Sequence, residues 1–276
     1  MTHVILLALV GALGGTFGSM VGLGGGLFII PGLVLFLKVP VHSAIAASLL
    51  GIVATSTTAA AAYLRQDLTN VRLGMTLETM TVSGAVIGGV VGAGLSKTAL
   101  SAIFGGVMIC VAVYMGLKQR VMSPPTIEPG QTGLLGDTYH DQAGGRVVSY
   151  RVRRLPAGIG ASAVAGIVSG LLGVGGGFLK VPVMVMAMGV PVRAAVATSS
   201  FMIGVTAGAS AVVYFAKGFV DPVVTVPVVL GVVAGAYVGS KLSMRVKSSV
   251  LTVILAVVLF ALAVQMVLSS AGISIR

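Results

Sequence analysis

Over 276 residues the chain is 57% hydrophobic and only 8% charged, with a mean hydropathy of +1.10, too little polar surface for a soluble globule. Such a composition fits a polytopic membrane protein. The net charge of +11 is dispersed rather than gathered in one patch, which argues against nucleic acid and for basic loops that fix orientation in a bilayer.

The first apolar segment, Val4–Val21, lacks the basic start and small-residue cleavage site of a removable leader, so it is read as part of the mature protein. A glycine-rich stretch and a shorter segment, Gly25–Leu37, follow. Three longer segments come next: Val41–Leu64, Val71–Ala93 and Thr98–Leu117. A polar stretch, Lys118–Arg154, reads as a cytoplasmic connector whose end alternates like a short β-hairpin turning near Gly144 and Gly145. The pattern then restarts with Leu155–Leu172, a short Gly177–Met188, Val192–Phe215, Pro222–Ser240 and Ser248–Leu268. A full span needs about 20 residues, so the two short segments read as half-helices behind glycine-rich breaks. Cys110 is the only cysteine, and no intrachain disulfide can form.

Sliding the sequence against itself by 151 residues aligns the halves without a gap. Gly22, Gly24, Gly25 and Gly26 fall on Gly173, Gly175, Gly176 and Gly177, Pro31 on Pro182, Ser48 on Ser199, and Tyr63 on Tyr214. Residues 1–117 and 155–276 are therefore two transmembrane repeats around the 118–154 connector. The expected fold is an all-α polytopic membrane protein of two inverted repeats, each a Gly-broken re-entrant or half-helix hairpin plus three full spans. Charge supports the inversion. With the connector inside, Arg65, Arg72, Lys118, Arg120, Arg146, Arg151, Arg153, Arg154, Arg193, Lys241, Arg245 and Lys247 are all cytoplasmic. Only Lys38, Lys97, Lys217 and Arg276 fall outside, and both termini are outside as well.

Gly26 lies 13 residues before Val39, about 20 Å of helix, so each glycine apex is expected deep in the bilayer. A half-helix starting there exposes backbone N–H groups at its positive end, and such termini hold anions. The alternative is close helix packing through small residues, which suits Gly84, Gly88, Gly235 and Gly239. Ser48 and Ser199 lie eight residues past Pro40 and Pro191, about 12 Å into their helices, with Thr198 and Ser200 flanking Ser199. Their hydroxyls either donate to an oxyanion or bond their own helix. Pro31 and Pro182 free a carbonyl one turn back and are read as flex points.

Three ionisable sites stand out. Lys180 replaces Ile29 of the first repeat; a charge at mid-membrane costs roughly 2.5–3.5 kcal/mol, so it either contacts an anion or pairs with Glu78. Glu78 is the proton-coupling candidate, or else a solvated interfacial group. His42 and Arg193 are aligned partners at opposite mouths, where they attract anions or simply snorkel. No metal-ligand cluster, HExxH helix or serine dyad is evident, so no enzyme, metal or cofactor is expected.

The paired "GLGGGLFIIP" and "GVGGGFLKVP", each followed by "VP" and a small-residue helix carrying Ser48 or Ser199, resemble the TauE/SafE sulfite exporter family over almost the whole chain. The resemblance implies a transporter in a bacterial or archaeal plasma membrane. It would carry sulfite, thiosulfate or organosulfonates outward, coupled to protons. The residues themselves leave open a passive anion channel, a carboxylate transporter, a noncatalytic membrane subunit and a homodimer. The inverted topology makes a direct prediction: a cysteine introduced at 240–247 is inaccessible to reagents outside intact cells, and ready labelling overturns the inversion.

Overall fold

The computed structural model describes residues 2–21, 23–117, 133–141, 146–243, 261 and 264–265. Gly22, the hairpin turn at 144–145 and nearly all of the span expected at 248–268 lie outside them. The chain order is α1 (Thr2–Val21), α2 (Gly26–Pro31), α3 (Val41–Leu64), α4 (Val71–Gly94) and α5 (Lys97–Leu117). Strands β1 (Asp137–Asp141) and β2 (Arg146–Tyr150) follow, then α6 (Leu155–Leu172), α7 (Gly177–Met186), α8 (Val192–Ala216) and α9 (Pro222–Ser243).

Six helices among the described residues, α1, α3, α4, α6, α8 and α9, are long and apolar enough to cross a membrane. Large apolar side chains also point outward: Leu9 and Leu13 on α1, Ile87 and Val91 on α4, and Val226 and Leu230 on α9 are exposed. A bilayer covers such surface, water does not. The protein is thus mainly helical and multi-pass.

Local geometry repeats at the sequence offset. The Ile29 N–H donates to Gly25 O (3.1 Å) and the Lys180 N–H to Gly176 O (3.2 Å). Val39 donates to Leu33 O (3.0 Å) as Val190 does to Met184 O (2.9 Å), and Leu68 to Tyr63 O as Phe219 does to Tyr214 O. At those two helix ends the left-handed residues are Lys38 and Asp67 in the first half and Gly189 and Gly218 in the second. The two differ past their prolines, although neither Pro31 nor Pro182 has an N–H to give. Past Pro31 the first short helix widens into a π-helical turn, Gly32–Phe36, whereas α7 runs on past Pro182 as α-helix.

Helices pack across the halves through glycine. A Cβ at Gly84 or Gly88 of α4 would strike the backbone of Ala163 or Ile167 on α6. The same holds for Gly235 and Gly239 of α9 against Ala12 and Thr16 on α1, each position 151 residues on or back. Residue numbers rise together along both pairs, so α4 runs parallel to α6 and α1 to α9. The equivalent helices α3 and α8 instead cross in opposite directions: Gly204 faces Ser56, while Gly208 faces Val53. Each short helix folds back on the one before it, with Gly32 against Val10 and Gly158 against Met188.

The strands pair antiparallel, Tyr139 opposite Val148. Tyr139, Val148 and Tyr150 are buried against Leu73, Leu77, Met184, Met188 and Met202, so the hairpin caps α4, α7 and α8. Asn70 fastens it. The Asn70 Oδ1 caps α4 by accepting from the Leu73 N–H (2.9 Å), and its Nδ2 donates to Leu135 O (2.8 Å) and the Tyr150 hydroxyl (3.1 Å). Burial holds the Tyr150 phenol well above its ordinary range, so it stays a neutral donor and acceptor.

Candidate functional site

Both short helices begin behind left-handed glycines: Gly24 (φ 77°) and Gly25 (φ 87°) before α2, Gly175 (φ 83°) and Gly176 (φ 72°) before α7. A side chain would strain this backbone. The two loops touch. A Cβ at Gly26 would lie 2.5 Å from Gly173 O and 2.9 Å from the Ser48 Oγ, and Gly173 is backed by Ile45. The sequence-selected Gly24, Gly25, Gly26, Gly173, Gly175, Gly176 and Ser48 therefore share one centre, with Gly177 opening α7 beside them.

The second loop leaves donors open. The Gly173 N–H goes to Ser169 O (2.7 Å) and the Leu179 N–H to Gly176 O (3.3 Å). The five amides between them, Val174 to Phe178, meet no acceptor among the described residues. Ser199, fully buried, has an unpartnered hydroxyl, and so does Ser169, which packs against Gly176. Nothing in the sequence pattern singled out Ser169, because its repeat partner is Gly18. The remaining hydroxyls are engaged. Ser48 donates to Gly173 O (2.9 Å), Ser200 to Val196 O (2.8 Å), and Thr198 accepts from the Asn70 N–H (3.0 Å). A crevice lined by Ser19, Gly24, Thr55, Ser56, Ser200 and Ile203 has room for about one water.

Lys180 is almost completely buried and its Nζ donates to Glu78 Oε2 and Thr206 Oγ1, both at 3.1 Å. Thr206 in turn donates to Glu78 Oε1 (2.5 Å). Of the two readings open for Lys180, pairing with Glu78 is the one present, and the cluster carries no net charge. The cluster's repeat counterparts are Ile29, Val229 and Thr55, so the repeat-related position holds no such pair. Thr206 completes the cluster from two turns beyond Ser199, a spacing readable in α8 but not decisive among so many membrane hydroxyls.

His42 and Arg193 stay apart from the loops, in the first turns of α3 and α8. The His42 ring stacks on Phe219 (centroids 4.6 Å apart) with its Nε2 buried and unpartnered, whereas Arg193 is exposed. Pro31 and Pro182 lie inside the short helices. Among the described residues no three His, Cys, Asp or Glu gather as metal ligands.

Membrane-length helices enclosing unpaired amides, buried hydroxyls and an ion pair define an integral membrane protein with a polar centre of the kind transporters use. The chain belongs to the sulfite exporter TauE/SafE family, whose profile matches residues 7–266. It is a membrane transporter, not an enzyme. It is 33% identical to the probable membrane transporter protein YunE of Bacillus subtilis, over 80% of this chain and 81% of that one. With the probable membrane transporter protein YdhB of the same organism it shares 26% identity, over 82% and 85% of the two chains. No solved structure matches it.

The ion pair predicts a strongly non-additive mutant cycle. Glu78→Gln or Lys180→Met alone leaves a buried charge uncompensated and costs about 3–5 kcal/mol, whereas the Glu78→Gln/Lys180→Met double variant recovers most of it. Thermal unfolding of the three variants in detergent measures this. Additive losses would contradict a tight pair.

Proposed function

We propose that the protein is a secondary transporter that exports small sulfur-containing anions such as sulfite, thiosulfate or organosulfonates by alternating access. The anion sits near the membrane midplane between the two glycine loops. The observation that carries this reading is the run of five open amides at the start of α7, together with the buried, unpartnered hydroxyl of Ser199, one turn before the Ile203 that packs on Gly175. Burying that many donors with no acceptor is costly, and an oxyanion supplies acceptors in every direction. The first loop, with Gly24, Gly25 and Gly26, closes the other side, and Gly22 is the remaining glycine of the motif. Thr198 and Ser200 flank Ser199 and complete the hydroxyl lining.

Inverted repeats support the location. The equivalent helices α3 and α8 run in opposite directions, and the antiparallel folding of α2 on α1 and α7 on α6 agrees with hairpins that enter and leave on one face. Both termini then lie outside, and the breaks approach each other from opposite faces. Pro31 and Pro182 are the flex points of the short helices, and His42 and Arg193 guard the mouths.

Proton coupling follows from the ion pair. A proton on Glu78 cancels its charge and leaves Lys180 free to hold the anion, so proton and anion favour each other's binding. The family's description as a sulfite exporter supports both the anion class and the outward direction.

Binding tests this most simply. Sulfite, thiosulfate, sulfate, sulfonates and carboxylates are titrated into purified protein while its melting temperature is followed. Sulfite or one of its organosulfur relatives is expected to raise it, and Ser199→Ala to weaken that anion roughly tenfold or more, the worth of a hydrogen bond to a charged group. No shift with any sulfur anion, or unchanged affinity in Ser199→Ala, would sink the assignment.

A further inference from the structure

The space between the two glycine loops is filled by two isoleucines. Ile52 on α3 and Ile203 on α8 are repeat partners, 151 residues apart, and both are buried. A Cβ at Gly24 would lie 3.0 Å from a methyl of each. One at Gly175 would lie 2.6 Å from the Ile203 Cγ2 and 3.3 Å from the Ile52 Cγ2. Each isoleucine thus touches both loops. Glycine at 24 and 175 is needed partly because these side chains occupy the room a Cβ would take.

Polar groups flank the pair on both sides. Thr55 lies three residues past Ile52, in the hydroxyl-lined crevice with Ser19, Ser56 and Ser200. Thr206 lies three residues past Ile203, in the Glu78–Lys180 cluster. Because α3 and α8 run antiparallel, the two threonines lead away from the crossing in opposite directions. β-Branching also fixes each isoleucine at χ1, which makes the pair a stiff wedge rather than a pliable filler.

We propose that Ile52 and Ile203 form an apolar septum that divides the transport path into two polar half-sites and keeps a hydrated anion from crossing until α3 and α8 part. An anion gains no polar partner from the septum, so its desolvation opposes leakage while the wedge is closed. The two residues set coupling rather than affinity. This inference rests on the anion path between the loops proposed above.

The test compares two substitutions of nearly equal size. Ile203→Val and Ile203→Thr both shorten the side chain, but only threonine adds a hydroxyl. Proteoliposomes holding wild type or variant are loaded with 35S-labelled sulfite, and its escape is followed without counter-substrate. Escape from Ile203→Thr is expected to be at least tenfold faster than from Ile203→Val, which stays near wild type; Ile52→Thr and Ile52→Val repeat the comparison at the other half. Equal escape from the Thr and Val variants overturns the septum. Threonine variants that fold at neither position overturn it too, because a path that admits a hydrated anion must tolerate a hydroxyl there. Wild-type protein that moves neither labelled sulfite nor labelled thiosulfate would instead defeat the anion reading itself.

Discussion

Everything at the centre of this protein depends on the close approach of two backbones, Gly26 against Gly173, with Ser48 donating to the Gly173 carbonyl. In a bilayer no water satisfies the backbone of an interrupted helix. The interruption therefore survives only where protein or a ligand supplies the missing partners. Ser48 supplies one partner, to the Gly173 carbonyl of the second loop. Among the described residues, amides remain open in both loops, Gly24 to Leu27 in the first and Val174 to Phe178 in the second, and the Ser199 hydroxyl is open as well.

Charge separates the two halves. Lys180, Glu78 and Thr206 form a closed triangle with nothing ionic at the repeat-related positions, where Ile29 and Val229 stand. A buried pair of this kind adds little stability compared with apolar residues of the same size. The hairpin packs over the same side, and Asn70 ties it to the hydroxyl of Thr198, next to Ser199.

Much of this was legible in the chain because a membrane allows so few solutions. The 151-residue offset reappears in backbone hydrogen bonds, in left-handed helix ends and in glycine contacts. Gly84, Gly88, Gly235 and Gly239 serve the close packing their spacing suggests. Helix depth, counted by residue, puts both glycine stretches at a similar level, but counting does not say that they touch. What escaped the sequence are contacts between distant segments. Asn70 reads locally as a helix cap and gives no hint of Tyr150, 80 residues on. Ser169 hides because its repeat partner is a glycine. Lys180 and Glu78 were visible as two charges out of place, yet only side-chain geometry chooses pairing over separate duties.

An anion held between the loops and carried by alternation would exchange one for one across the membrane. Counterflow tests it most directly. Proteoliposomes preloaded with unlabelled sulfite should take up 35S-labelled sulfite faster than empty ones, and the rate should saturate with external concentration. Uptake that ignores the internal anion and rises without limit, or ohmic single-channel currents in planar bilayers, would contradict it.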